Sequence, residues 1–202
     1  MRSENIQSKM AKRFVITTNS KNTKSPAPDL LKRNFRTVNK NQAWVSDTTF
    51  IRTRQGWLYL AVVMDLFSRR IVGWSMSRWM GRQLVIDALR MAIAMRQPEE
   101  GLIHHSDRGC QYTSDDFRYE LAKYDIQCSM SGRGNCYDNA VVESFFGVLK
   151  RERVNRVKYR TRDEAKSDLF DYIECFYNQK RRHGYLGNQS PVNFEKTMNQ
   201  LF

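Results

Sequence analysis

From residue 43 onward, apolar and polar positions alternate regularly enough to be read as elements. AWVSDTTFI (43–51) is rich in β-branched and aromatic residues and predicts a strand. Gln55-Gly56 marks a turn, and WLYLAVVMDLF (57–67) is apolar enough for the centre of a sheet. DLFSRR supplies a short turn into a third strand, IVGWSMS (71–77). Short turns between consecutive strands predict an antiparallel meander. Apolar positions 84, 85, 88, 89, 92 and 95 then repeat with helical spacing until Pro98. GLIHHSD (101–107) reads as a fourth strand, and DDFRYELAKY (115–124) as a helix capped by Thr113 or Ser114. DIQCSM (125–130) is a fifth strand, followed by the two-glycine loop SGRGN. Two helices follow, YDNAVVESFFGVLKRE (137–152) and TRDEAKSDLFDYIECFYNQKRR (161–182), the second with Leu169, Ile173 and Phe176 on one face. The order β-β-β-α-β-α-β-α-α predicts an α/β fold, a mixed sheet with helices against it.

Residues 1–40 show no such periodicity and read as a basic arm or linker, with Leu30, Leu31 and Phe35 docking on the fold. Residues 41–155 hold the core pattern, and 156–202 read as its C-terminal helical extension. Apolar runs reach seven residues at most, Leu58–Met64, against the roughly 20 of a spanning helix. MRSENIQSKMAK has no apolar leader segment, so the expectation is a cytoplasmic chain with no membrane partner. The cysteines at 110, 128, 136 and 175 share no CxxC spacing and are expected to be free thiols.

Charge changes the picture more than composition does. The net charge is +13, with ten basic and two acidic residues in 1–40, twelve and eleven in 41–140, and twelve and eight in 141–202. A near-neutral body with basic flanks suits a polyanion such as DNA or RNA. Three carboxylates stand out within that body. Asp47 lies inside the first strand on the face of Val45, Thr49 and Ile51, where a carboxylate is costly unless paired or metal-bound. Asp107 follows the fourth strand, and ligands of open α/β sheets gather beyond strand ends. Glu143 shares a polar helix stripe with Asn139, Gly147 and Lys150. Three such acids can converge on two divalent ions about 3.5–4 Å apart that clamp a phosphodiester, with Lys150 on a phosphate. Taken singly, each has an ordinary reading: a hydrogen-bonded acid, a helix cap, and a solvated acid paired with Lys150 or an arginine.

Five ordered blocks bear on that choice: WVSDTTFI, GWLYLAVVMDLFSRRIVGWSMS, HHSDRGCQYTS, SMSGRGNCYDNAVVESFFGVLKRE and YNQKRRHGYLGNQSP. From about residue 28 to the C-terminus the chain resembles the catalytic domain of bacterial insertion-sequence transposases, and most nearly the OrfB product of the IS-three family. That family belongs to the ribonuclease H-like superfamily, with retroviral integrase. The resemblance implies a D, D, E triad with 35 residues between its last two members, the spacing of Asp107 and Glu143 here, with Asp47 as the first acid. It implies that these three are catalytic and hold two Mg²⁺ ions, for which Mn²⁺ can substitute. It puts a basic residue seven positions after the glutamate, Lys150, and matches a YNxxRxHxxL pattern at Tyr177, Asn178, Arg181, His183 and Leu186. The implied fold is a five-stranded sheet of order 3-2-1-4-5. The implied activity is metal-dependent DNA cleavage at element ends and strand transfer through a circular intermediate.

The partners implied are element and target DNA, a self-multimer in the reaction complex, and an upstream helix-turn-helix product or fused region, since nothing in 1–40 reads as one. Cys110 departs from the serine frequent in this block, a change expected to spare activity. Candidate DNA contacts are Lys150, Arg133 in the glycine loop, and Lys180, Arg181 and Arg182 at a helix end, where cations also favour the helix dipole. His105, Asp65 and Asn139 read as structural: a strand-face hydrogen bond, a turn lock and a helix cap. Trp57, Trp74, Phe145 and Phe146 read as core, whereas Trp79 can stack or pack. Two alternatives carry different tests. A non-catalytic DNA-binding or regulatory OrfB fragment would bind with steep salt dependence and do no chemistry. A ribonuclease H-type nuclease would prefer an RNA–DNA hybrid.

Overall fold

The computed structural model of the chain describes residues 26–132 and 139–200. Strands β1 (Ala43–Thr53), β2 (Gly56–Asp65) and β3 (Ile71–Ser77) form the meander. Gly56 closes the first turn at φ 102°, a left-handed conformation that costs glycine nothing. Helix α1 (Arg82–Arg96) leads to β4 (Ile103–Ser106), and α2 (Asp115–Ala122) to β5 (Gln127–Met130). The sheet order is β3-β2-β1-β4-β5, with β2 antiparallel to both β1 and β3, and β4 and β5 added parallel to β1. The fold expected from the resemblance is therefore the fold observed.

Strand alternation divides the core into two layers. Val45, Ile51, Leu58, Leu60, Val62 and Met64 face helix α3 (Ala140–Glu152) and the C-terminal helices. Trp44, Ala61, Val63 and Val72 face α1 and α2. Gly73 lets α1 approach the sheet, because a Cβ there would lie 2.2 Å from the Ala88 carbonyl oxygen. Ser114 caps α2 by accepting from the Phe117 N–H.

The C-terminal helix differs from expectation. Thr161 caps α4 (Arg162–Phe170), which then widens into a π-helical turn over Asp171–Tyr177. The wider turn shifts the side-chain register. Leu169 and Ile173 stay buried, but Phe176 is turned out to 43% exposure, and Tyr172 and Tyr177 take the inner positions. A final helix, α5 (Pro191–Asn199), was not legible as such; Ser190 caps it, and Pro191 occupies its first turn. Leu31 is buried and Phe35 packs on the core, whereas Leu30 is exposed and docks through its N–H on Ser129 Oγ. Trp57 is no core residue, being 45% exposed at the start of β2, where its ring stands edge-on to Phe50 and Arg162 of α4 donates to its carbonyl at 3.0 Å. Trp79 is exposed as well, with Arg78 over its ring.

Candidate active site

The sheet register brings two of the predicted acids together. Parallel β1 and β4 pair from Ala43↔Ile103 to Ser46↔Ser106, and the next residue on each chain is Asp47 and Asp107. The third comes from α3, which packs on β1. Asn139 at the start of α3 donates from Nδ2 to the Ser46 carbonyl at 3.2 Å, tying the helix to the residue beside Asp47. Asn139 makes no side-chain cap, so its expected role is replaced by this cross-link. Charge couples them: Asp107 and Glu143 both raise the Asp47 pKa, and Asp107 raises that of Glu143.

Burial dominates these shifts. Asp47 is pushed up to about 8, first by desolvation and then by the Asp107 charge, against a hydrogen bond from the Thr48 N–H at 2.7 Å and the pull of Lys150. Asp107 and Glu143 are also raised, chiefly by desolvation. Among the described residues none of the three forms an ion pair. Asp107 rests one oxygen on the Gly109 N–H at 2.9 Å. Gly109 leaves room for that carboxylate, since a Cβ there would lie 2.9 Å from it.

This donor set fits a divalent cation: oxygen ligands only, with mutual repulsion that a hard ion would relieve. Among the described residues no group of three His, Cys, Asp or Glu stands around one point, because Asp107 is turned to Gly109 and Glu143 faces solvent. Ligation by all three requires those side chains to turn.

The basic candidates separate. Lys150 is half-buried, with its Nζ 5.1 Å from the Phe50 ring centre. Lys180 and Arg182 are exposed. Arg181 instead grips Glu152 at the end of α3, with Nη2 to Oε1 at 2.8 Å, and Tyr172 joins the same carboxylate at 2.7 Å. In the same block, Asn178 exchanges two 3.0 Å hydrogen bonds with the Ile71 backbone, and the buried Tyr177 packs edge-on against Phe145. Arg133 lies outside the described residues, as does Cys136. Cys110, Cys128 and Cys175 are free thiols. His105 bonds Ser129 through Nδ1 at 2.8 Å, and Asp65 locks its turn by accepting from the Phe67 N–H.

One residue near the site was missed. Tyr112 is buried, its hydroxyl is unpartnered among the described residues, and burial first, then the charges of Asp47 and Asp107, raise its pKa. It is a protonated donor next to two carboxylates. Its tyrosine lies inside the HHSDRGCQYTS block, where only Asp107 drew notice as chemistry.

A mixed sheet that sets acids at the ends of adjacent parallel strands, with a third on a packed helix, defines the integrase-type core. The family described as "Integrase core domain" matches residues 37–136, and a second family of that description matches 143–198. The chain belongs to the IS3-family transposases. It is 44% identical over 196 residues to the Insertion element IS600 uncharacterized 31 kDa protein of Shigella sonnei, covering 97% of this chain and 72% of that one. It is 42% identical over 195 residues to Transposase InsF for insertion sequence IS3A of Escherichia coli strain K12, covering 96% and 68%. In fold it is similar to the HTLV-2 integrase catalytic core domain in complex with magnesium, with TM-score 0.60 and 18% identity over 79% of this chain and 99% of that one. A simian T-cell lymphotropic virus intasome chain gives TM-score 0.65 at 18% identity, covering 79% and 56%. The function is that of a DNA transposase catalytic core.

Proposed function

We propose that this chain catalyses metal-dependent cleavage and strand transfer of DNA at insertion-element ends, with Asp47, Asp107 and Glu143 as the catalytic acids. The observation that carries the reading is that Asp47 and Asp107 follow adjacent parallel strands while the charge of Glu143, on the helix packed there, acts on Asp47, none of the three being ion-paired among the described residues. These acids would hold two Mg²⁺ ions, with Mn²⁺ as substitute. Bound there, such ions would supply Lewis-acid stabilisation of the attacking and leaving oxygens. To hold such ions Asp47 would have to be deprotonated, and Asp107 would have to turn from Gly109. Lys150 sets a positive charge beside Asp47, where it can hold a substrate phosphate. Tyr112 keeps its proton and offers a donor to the aspartates. Lys180, Arg182 and Arg133 are proposed contacts to the DNA backbone. Residues 41–155 form the catalytic unit on this reading, and 156–202 brace it. Two element ends must be held at once, which calls for a multimer acting on chromosomal DNA with an upstream DNA-binding region. Among the described residues no helix is long and apolar enough to cross a membrane.

The test is incubation of the protein with Mg²⁺ or Mn²⁺ and a labelled oligonucleotide carrying a free 3′-hydroxyl. Wild type yields joined products and Glu143→Gln none. Products from Glu143→Gln, or from wild type in chelator, would reject the reading.

A further inference from the structure

Beside the acids lies a groove of which the proposed chemistry uses only Lys150. It encloses about 680 Å³ between the C-terminal half of β1 and the segment after α3, and its lining includes Phe50, Arg52, Arg54, Trp57, Lys150 and Lys158. β4 ends opposite Ser46, so it leaves the edge of β1 past Asp47 uncovered until Thr53 bridges to Tyr159. From Asp47 to Arg52 is roughly 17 Å along the strand. From Glu143 to Lys150 is roughly 10 Å along the helix. Lys150 belongs to both places: it lines the groove, and its charge acts on Asp47.

The groove's charge sets it apart. Its lining holds four cations and no acid. A second cavity of about 920 Å³ sets Lys40 and Arg96 against Glu99 and Glu100, and a third of about 360 Å³ sets Arg153 and Arg156 against Glu152 and Asp171. Among the described residues the side chains of Arg52, Arg54 and Lys158 form no ion pair or hydrogen bond, and all three are exposed. The groove also offers an aromatic surface: Trp57, 45% exposed, stands edge-on to Phe50 with ring centres 5.0 Å apart. Unopposed cations along a channel, with an exposed indole beside them, are the chemistry that tracks a phosphate backbone and stacks an unpaired base.

We infer that this groove is a subsite for an unpaired DNA strand, in which Arg52, Arg54 and Lys158 take phosphates, Trp57 stacks on a base, and Lys150 leads the strand to the acids. The inference deepens the proposed function, on which it rests for what happens to that strand. Strand binding itself needs no chemistry, which lets the two be tested apart.

The experiment measures binding of a fluorescently labelled single strand and the matching duplex by anisotropy, in chelator, across a salt series. Arg54→Gln/Lys158→Gln should make the single-strand salt slope shallower by about 1.4, at about 0.7 per phosphate. Trp57→Ala should weaken single-strand binding about tenfold and duplex binding less. An oligonucleotide carrying 5-iodouracil should photo-crosslink to Trp57, as located by mass spectrometry. Each groove variant must melt as wild type does; one that does not is replaced by Arg52→Gln/Arg54→Gln or Trp57→Leu. An unchanged slope, or crosslinks mapping away from this groove, would overturn the subsite. Equal losses for duplex and single strand would overturn its assignment to an unpaired strand. Asp47→Asn, run in parallel, should bind and crosslink as wild type does. Strand transfer by that variant would reject the proposed catalytic role and leave the groove standing.

Discussion

Two groups of acids lie three register steps apart along β1, and they are built on opposite principles. At one, Asp47, Asp107 and Glu143 stand without an ion pair among the described residues; burial raises all three pKa values, and charge repulsion adds to the rise at Asp47 and Glu143. At the other, buried Glu195 on α5 accepts from Arg96, from Arg70 Nη1 at 2.9 Å and from Ser68 Oγ at 2.7 Å, and these partners outweigh desolvation and hold its pKa down. Asp65, beside it, accepts the Asn41 and Phe67 N–H groups, yet complete burial still lifts it to about 6. Buried acids with partners fix the place of a helix. Acids that lack them, set where substrate can reach, are held ready for a cation.

The strongest test of that contrast is to neutralise one member of each group. Asp47→Asn should cut strand transfer by about a thousandfold or more, since the acid's contribution to holding cation charge amounts to several kcal/mol. Its metal-free melting temperature should nevertheless rise. Glu195→Ala should do the reverse, stranding the half-buried Arg70 and Arg96 at a cost of about 3–5 kcal/mol in denaturant unfolding, with activity per folded molecule retained. Equal stability losses in the two variants would erase the distinction.

The pH dependence follows from the signs. The Asp47 carboxyl has a folded pKa of about 8, above its unfolded value of 3.8, so the folded state retains a proton that the unfolded state releases. Its contribution is therefore lost as pH rises from about 4 to about 8. The stability advantage of metal-free Asp47→Asn should be largest near pH 8, on the order of 10 °C in Tm, and should vanish by about pH 4. Glu195 behaves oppositely: its pKa is depressed, so its stabilisation is full above the unfolded value near 4.5 and fades as pH falls through the folded one. Glu195→Gln should flatten the acid limb of a Tm-against-pH curve and leave the neutral region nearly level.

Much of this was readable along the chain. Alternation in AWVSDTTFI and the apolar run after Trp57 specify the meander, and the D-35-E spacing within five ordered blocks points to the three acids. What was not readable depends on partners far away in sequence. Phe176 fits a helical stripe until the π-turn rotates it outward, and no local pattern encodes that turn. Trp57 looks like core because a strand's hydrophobicity does not say how far each of its side chains is covered. Glu195 draws no notice in the sequence, because its role arises only when α5 docks it on arginines 125 and 99 residues earlier. Tyr112 is unremarkable until the fold buries its hydroxyl next to Asp47.

Arg181 gives the finest test, because it stands between the two kinds of site. Its motif and its basic neighbours suggest a phosphate contact, while its side chain is bound to Glu152, the last residue of the helix that carries Glu143. Both partners are partly exposed, so the pair should contribute only about 1–2 kcal/mol. If Arg181 braces α3, Arg181→Gln loses about that much stability and leaves the DNA-binding salt slope unchanged, while Lys180→Gln/Arg182→Gln flattens the slope without loss of stability. If Arg181 is instead a backbone contact, its own substitution flattens the slope by about 0.9 on duplex DNA. Glu152→Gln decides between them: it should reproduce the stability loss of Arg181→Gln if the bond is structural, and strengthen DNA binding if Glu152 merely holds Arg181 back from a phosphate.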